Sequence, residues 1–124
     1  MTDLERCLPW IRRALDRSGN IDGLDKVLRN IATGHAQLWP APRGCFVTEL
    51  VQHANRLGIR AWLAGGELDQ LMDMIPAIAD WARAQGCTFA EFDGRLGWEK
   101  PLRARGWKKR SVTMELDLET ADGR

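Results

Sequence analysis

Apolar residues recur every three or four positions through the first third of the chain, which is the spacing of a helix with one buried face. The first stripe lies in residues 3 to 16, behind a Thr2-x-x-Glu5 capping box, and predicts a helix. Pro9 falls inside this stripe and lacks an N–H group, so a helix that starts one turn later is an open alternative. A second stripe follows and predicts a second helix, with Asp22 as its N-cap.

The middle of the chain changes to short runs of strand-forming residues. We predict strands at residues 35 to 39, 45 to 51 and 57 to 64. A five-residue loop at 40 to 44 and a turn at 53 to 56 connect them. Because strands joined by short connections usually pair with each other, we expect an antiparallel meander.

The third strand leads through a glycine pair into a long amphipathic helix. Strict alternation would place Arg60 and Trp62 on one face of the strand, opposite the apolar residues beside them. Gly65 and Gly66 predict a tight turn between the strand and the helix. Pro76 interrupts the helical stripe, so we expect a kink or two helical segments there.

The last third of the chain continues with strand, helix and strand. Residues 87 to 92 alternate and follow a crossover helix, so they should pair parallel to the third strand. A short helix is predicted at 98 to 105, a half-buried strand at 111 to 118 and a disordered tail at 119 to 124. The expected fold is α/β of the α+β type, with order ααβββαβαβ and a mixed sheet, in a single domain at residues 1 to 118.

Composition narrows the function classes. The 124 residues are 44% hydrophobic with a formal net charge of +1, which fits one core and argues against a wholly basic nucleic-acid binder. The chain has no run of about 18 apolar residues and no signal-peptide pattern, so a cytoplasmic protein without membrane contact is expected. Cys7, Cys45 and Cys87 are too widely spaced for a zinc motif and predict buried, reduced thiols. His35 and His53 lack nearby ligands, so we expect no metal site.

Two segments are similar to those of a known family: residues 82 to 87, which precede a strand, and residues 103 to 107, which close a helix. They resemble the second half of the GNAT acyltransferase fold, in which a helix ending in A-x-x-x-G precedes a strand and a later helix closes on L-G-F. The resemblance covers residues 35 to 118 and implies the mixed GNAT-like sheet. The run from Gly94 to Glu99, followed by Gly106-Trp107, is also similar to short GNAT-like proteins that tailed bacteriophages encode among their structural genes.

The resemblance implies an acetyl-coenzyme A site at the turn between the central strand and the main helix. Family members hold the pyrophosphate there with a Q/R-x-x-G-x-G/A pattern. Ala64, Gly65 and Gly66 are the aligned residues, so the cofactor-binding turn is degenerate. Glu67 and Asp69 follow in the first helical turn, where they would repel a pyrophosphate. We therefore expect no bound cofactor unless the protein is an active transferase, in which case the cofactor would be acetyl-coenzyme A. The alternative interpretation of Gly65 and Gly66 is a simple strand-to-helix turn that binds nothing.

Acid and base candidates are few. Family members commonly use a tyrosine in the last helix to protonate the leaving thiolate, but the matching residue here is Leu102 and the chain has no tyrosine. Glu49 and Glu91 lie on predicted strands and are the candidates for the general base, although such carboxylates also commonly face solvent. A Cys45–His53 nucleophile pair would require these two residues to be neighbours.

A basic patch surrounds the predicted last helix, with tryptophans interleaved. Its members are Arg95, Lys100, Arg103, Arg105, Lys108, Lys109 and Arg110. Such a patch can bind a nucleic-acid backbone or an acidic protein surface. A solvated helix face over packed tryptophans is the alternative.

Two functions compete at this point. The favoured hypothesis is a GNAT-like protein with a degenerate acyl-coenzyme A site, which acts without catalysis as a phage or prophage virion-associated or interaction protein. Its partners would be phage structural proteins, with nucleic acid as a further partner of the basic patch, and it would lie in the host cytoplasm or the virion. The alternative is an active acyl-coenzyme A N-acyltransferase that transfers acetyl to an amine.

Overall fold

The computed structural model describes residues 1–18, 22–94 and 96–119. Residues 1–94 form one compact unit and residues 95–124 a second. Four α-helices, a short 3-10 helix and a four-stranded mixed sheet make up the described regular structure, so the predicted α+β class is confirmed. The described helices include none with the length and apolar character needed to cross a membrane.

The helices and strands follow one another in the order that the sequence predicts, except at the end of the chain. Their bounds are α1 Asp3–Arg17, α2 Leu24–Ala32, β1 Ala36–Ala41, β2 Gly44–His53, β3 Arg56–Gly66, α3 Leu68–Ala84, β4 Phe89–Phe92, a short 3-10 helix at Leu96–Trp98, and α4 Glu99–Arg103.

Helix α1 starts at the predicted capping box. The side chain of Thr2 accepts a hydrogen bond from the Glu5 N–H at 3.1 Å. The helix continues through Pro9, which is exposed, so the alternative of a later start is wrong. Helix α3 likewise runs through Pro76 as one helix of 17 residues, and the predicted division into two segments does not occur.

The N-cap of α2 is Gly23 rather than Asp22, which corrects the sequence prediction. Asp22 is instead held by two side chains. Its carboxylate accepts a hydrogen bond from Lys26 Nζ at 3.0 Å and another from Trp62 Nε1 at 3.0 Å. These bonds, that from Lys26 above all, lower the pKa of Asp22. Asp22 therefore connects the start of α2 to β3.

The sheet order is β1-β2-β3-β4, with two antiparallel pairs and a parallel β3–β4 pair, as predicted. The hairpin loop between β1 and β2 is shorter than predicted. Pairing extends to Ala41 and Gly44, which leaves only Pro42 and Arg43 in the loop. Pro40 lies within β1, an edge strand, where a missing backbone donor is tolerated.

A β-bulge interrupts the alternation of β3. Val47 of β2 is in register with Leu63, but the next residue, Thr48, is in register with Ala61. Trp62 is the extra residue. Ala61 and Leu63, on either side of it, therefore point to opposite faces of the sheet, whereas in a regular strand they would share one face. Trp62 and Leu63 therefore both pack into the core beside α1 and α2, and the strict alternation predicted for β3 is wrong.

Helices cover both faces of the sheet. The core under α1 and α2 contains residues of all three antiparallel strands, among them Leu38, Val47 and Leu63. Trp39, the next residue after Leu38, packs edge-on against Trp81 of α3, with ring centroids 5.6 Å apart. Because neighbouring residues of a strand point to opposite faces, α3 lies on the other side of the sheet.

The three cysteines are free and buried, as predicted. Cys7 of α1 and Cys45 of β2 lie in the same buried core cluster. Burial raises the pKa of all three thiols, because a thiolate is poorly solvated in an apolar core. They serve as apolar packing groups.

The second unit contains the 3-10 helix and α4, whose end is closed by a hydrogen bond from Trp107 N–H to the Leu102 carbonyl. The predicted helix at 98 to 105 is therefore present but shorter. The predicted strand at 111 to 118 does not form, and its apolar side chains are 60 to 89% exposed. Alternation alone cannot make a strand where no neighbouring strand supplies backbone partners. Most of the predicted tail, residues 120 to 124, lies outside the described residues.

We expect the native protein to react very slowly with Ellman's reagent at pH 8. The thiolate is the reactive form, and a raised pKa leaves little of it at that pH. Absorbance at 412 nm should show three thiols only after denaturation. Release of a full equivalent from the native protein within minutes would contradict the burial of these side chains.

Candidate functional site

A pocket of about 390 Å³ opens at the end of β3, beside α1 and the β1–β2 hairpin. Helix α1, the hairpin loop and the junction of β3 with α3 each supply part of its wall. The lining residues are Trp10, Arg13, Arg17, Pro42, Arg43, Gly65, Gly66 and Glu67. We call this site the arginine pocket.

The glycine pair lies in β3 and not in a turn, which corrects the prediction. Gly65 and Gly66 are the last two residues of the strand and still pair with the start of β2. A Cβ on Gly65 would lie 2.7 Å from Cβ of Trp10, and one on Gly66 would overlap the carbonyl of Arg43. Gly66 also has a φ of +118°, which a side chain rarely adopts. Both glycines are therefore required by packing. Ala64 lies within the strand and is half-buried.

The start of α3 is closed by the protein's own charged groups. Arg43 Nη1 lies 3.0 Å from Glu67 Oε2 and 3.1 Å from Asp69 Oδ2. The Glu67 N–H donates to the Arg43 carbonyl at 2.9 Å. A pyrophosphate bound here would compete with these carboxylates for the same donors. We call this arrangement the Arg43 clamp.

The Arg43 clamp shifts the titration of its members. The hydrogen bond from Arg43 lowers the pKa of Asp69, and the bonds to Asp69 and Glu67 raise the pKa of Arg43. All three side chains are about half exposed or more. The clamp is therefore a surface arrangement that depends on ionic strength.

The two predicted general-base candidates lie in one row across the sheet. Glu49 of β2 is in register with Arg60 of β3, which is in register with Glu91 of β4. Glu49 forms an ion pair with Arg60. Arg60 Nε is buried without a hydrogen-bond partner among the described residues. The carboxylate of Glu49 is thus paired with Arg60, whereas that of Glu91 lies beside His53.

Glu91 lies beside a histidine. Its carboxylate is 3.2 Å from Nε2 of His53, and its side chain is only 14% exposed. This pair could pass a proton if a substrate reached it. The imagined Cys45–His53 pair does not form, because Cys45 is near the start of β2 and His53 is its last residue. Among the described residues no group of three His, Cys, Asp or Glu side chains could hold a metal ion.

Strand β3 extends beyond its parallel neighbour. The β3–β4 pairs run from Gly58 with Phe89 to Ala61 with Phe92. From Trp62 to Gly66, β3 continues without pairing to β4. Among the described residues no strand pairs with this part of β3 on the β4 side, so an extended chain could pair there.

The basic patch belongs to the second unit, where Glu99 partly neutralises it. Arg103 and Lys109 both approach Glu99 Oε1, at 2.8 and 3.1 Å. Arg95 lies outside the described residues, and the other members, Lys100, Arg103, Arg105, Lys108, Lys109 and Arg110, are exposed. Leu102, at the position where the resembled family places its proton donor, is buried and apolar.

Arg13, Arg17 and Arg43 line the pocket but were not among the site residues predicted from the sequence. Arg13 and Arg17 are four residues apart, and this spacing on α1 was a signal that they share one helix face. That Arg43 lies near them depends on the β1–β2 hairpin loop, which is shorter than predicted.

Comparison with known proteins establishes the fold alone. The chain matches no family model and no curated protein. It is similar to two crystal structures of TTHA1254 from Thermus thermophilus, the wild type and a point mutant, with TM-scores of 0.60 and 0.61. Sequence identity is 16% in both, and the alignments cover 98% of this chain and 95% of the other. This chain therefore shares its overall architecture with TTHA1254.

We expect Gly66→Ala to destabilise the protein by about 2 kcal/mol or more, because it combines positive-φ strain with overlap at the hairpin. Gly86→Ala is the matched control. Gly86 has a φ of +95° but open space around it, so its loss should be only about 1 kcal/mol. Chemical denaturation followed by circular dichroism measures both. Equal losses would show that the close approach at Gly66 is unimportant.

We expect Arg43→Gln to raise the pKa of Asp69 towards its ordinary value, because the strongest stabiliser of the carboxylate is removed. In the wild type the stability that this ion pair contributes is present above the unfolded-state pKa. It is lost as the pH falls through the lower folded-state value. Carbon-13 NMR titration of the carboxyl groups measures the shift. Arg83→Gln, which removes an exposed partner of Asp80 on the same helix, should leave the pKa of Asp69 unchanged.

Proposed function

We propose that this chain is a GNAT-like protein whose acyl-coenzyme A site is degenerate and that it binds a partner without catalysing acyl transfer. The observation that carries the proposal is the Arg43 clamp, in which carboxylates of the chain occupy the mouth of α3. Coenzyme A would have to displace them with its pyrophosphate. The repulsion between like charges opposes this exchange.

The element order supports the GNAT-like assignment. A three-stranded meander, a long crossover helix and a parallel fourth strand follow one another, as in the resembled fold. The similarity of residues 94 to 99 to short GNAT-like phage proteins supports a role in a virion or with phage structural proteins. We accordingly place the protein in the host cytoplasm or the virion.

The residues at the two positions where a proton donor was considered, Leu102 and Cys87, support a non-catalytic role. The chain has no tyrosine, and a buried leucine occupies the matching position at Leu102. Cys87, another conceivable donor, is buried and its pKa is raised. A raised pKa still permits proton donation, but a buried thiol cannot reach a substrate.

The second candidate is an acyl-coenzyme A N-acyltransferase, and the extension of β3 beyond β4 favours it. The backbone from Trp62 to Gly66 could pair with an extended pantetheine arm. Glu91, beside His53, would then accept the proton of an amine, with acetyl-coenzyme A as the donor of the acyl group. Glu49 is a weaker candidate because Arg60 holds it.

Nucleic-acid binding by the exposed basic patch is compatible with the first proposal. Arginine and lysine side chains on one short segment can neutralise backbone phosphates. Glu99 offsets part of this charge through Arg103 and Lys109. The contribution of this patch would be strongly salt-dependent.

We expect no thiol release when the protein is incubated with acetyl-coenzyme A and a mixture of primary amines, because the carboxylates of the Arg43 clamp oppose binding of the pyrophosphate and the buried Leu102 occupies the position of the family's proton-donating tyrosine. Ellman's reagent follows the reaction, since the buried cysteines contribute little background. In calorimetry, acetyl-coenzyme A should bind no more tightly than ADP, which shares its diphosphate and lacks the pantetheine arm.

A double variant tests the reason for this result. Glu67→Gln with Asp69→Asn removes the two carboxylates of the Arg43 clamp and should strengthen acetyl-coenzyme A binding. Asp73→Asn with Asp80→Asn removes two exposed charges farther along α3 and should have little effect. Thiol release by the wild type that disappears in Glu91→Gln would overturn the proposal and support the transferase.

A further inference from the structure

We propose that the arginine pocket binds a small phosphate-bearing ligand through Arg13 and Arg17. This goes beyond the proposed function, because such a ligand needs neither a thioester nor a pantetheine arm. Three observations support it. The site is concave, and two guanidinium groups within it have no partner among the described residues. The third arginine of the pocket, Arg43, already pairs with carboxylates of the chain.

The size and shape of the arginine pocket suit a small ligand. Its volume of about 390 Å³ lies in the range of pockets that hold small molecules. Trp10 is among the lining residues, together with the glycine pair at the end of β3. A concave site with one aromatic wall and a few convergent polar groups is typical of ligand-binding sites.

The three arginines that line the pocket differ in whether they already have a partner in the protein. Arg43 is engaged by Glu67 and Asp69. Arg13 and Arg17 form no ion pair or hydrogen bond within the described part of residues 1–94. The two guanidinium groups that are free to bind a ligand therefore both come from α1.

The spacing of these two arginines is unfavourable for the helix by itself. Like charges four residues apart repel each other on a helix surface. Arg6, on the same helix, has a carboxylate partner in Asp3, so α1 does pair arginines elsewhere. An anion between Arg13 and Arg17 would relieve their repulsion.

Phosphate is the anion that this arrangement fits best. A guanidinium presents a rigid fork of donors that matches two phosphate oxygens, and arginine is preferred where such bidentate contacts matter. Residues four apart lie about one helical turn, roughly 6 Å, along α1, so two forks can contact one phosphate group or two linked ones. A dicarboxylate is the competing chemistry, and the experiment separates the two.

The test is calorimetric titration of the full chain with inorganic pyrophosphate at about 20 mM and about 300 mM sodium chloride, two concentrations at which the screening length differs severalfold. We expect binding that weakens at the higher salt concentration, since exposed charges are screened. Inorganic phosphate and ADP form two further arms, which distinguish a free phosphate ligand from a nucleotide. Succinate is the carboxylate arm and should bind at least about tenfold more weakly than pyrophosphate.

Variants of α1 assign the binding to individual side chains. Arg13→Gln and Arg17→Gln should each weaken pyrophosphate binding by about tenfold or more, the effect of losing a hydrogen bond to a charged group. Arg12→Gln is the matched control, because Arg12 is exposed on the same helix, carries the same charge and does not line the pocket. Arg13→Lys keeps the charge but loses the fork, and its affinity should fall between those of the wild type and Arg13→Gln.

Several results would overturn the inference: no binding of pyrophosphate at low salt, equal affinity for succinate, or equal weakening by Arg12→Gln. Thermal melting of each variant shows whether it is folded, and Arg13→Lys provides a test if Arg13→Gln is unstable. Acyl transfer by the wild type would overturn the proposed function alone. Failure of pyrophosphate to bind would overturn this inference alone, because the two experiments measure turnover and equilibrium binding separately.

Discussion

The close approach between the end of β3 and its two neighbours, α1 and the β1–β2 hairpin, determines how the first unit is arranged. Gly65 allows the backbone of α1 to pass at Trp10, and Gly66 allows the hairpin to pass at Arg43. A packed interior cannot absorb even one added methyl group at such points without a shift of the backbone. The position of α1 over the sheet and the start of α3 both follow from this contact.

The same contact explains why a strand that leads through two glycines into a helix does not have to form a phosphate-binding site. In a phosphate-binding strand-turn-helix, glycines keep side chains away so that a ligand can approach the backbone. Here the space beside the glycines is taken by Trp10 and by the Arg43 carbonyl. The N–H group of Glu67 already donates to the Arg43 carbonyl, and the Arg43 side chain already contacts the carboxylates of Glu67 and Asp69. What decides the chemistry at the helix mouth is therefore which groups occupy its donors.

Much of the fold could be predicted because a helix is indicated by the spacing of apolar residues that are close together in the sequence. The start of α1, the continuity of the apolar stripe on α3 and the parallel β4 strand after a crossover all follow from nearby residues. The bulge at Trp62 and the two-residue hairpin loop depend on cross-strand register, which local spacing does not specify. Residues 111 to 118 alternate between apolar and polar side chains as a strand does. Alternation shows a preference for the strand conformation, but it does not show that a neighbouring strand is present to pair with. In the candidate site, Gly65 and Gly66 stand out in the sequence, whereas Arg13 and Arg17 look like any solvated helix face.

Net charge conceals how differently the two sides of the arginine pocket are used. The chain as a whole is close to neutral at +1. At the α3 side, one arginine meets two carboxylates, so the local balance is negative. At the α1 side, two arginines have no carboxylate partner among the described residues. Because screening limits exposed charges to a range of about 10 Å, an approaching anion is influenced by this local imbalance more than by the total. The helix that passes over the strand end, more than the glycine pair beneath it, therefore determines the sign of the ligand that the pocket favours.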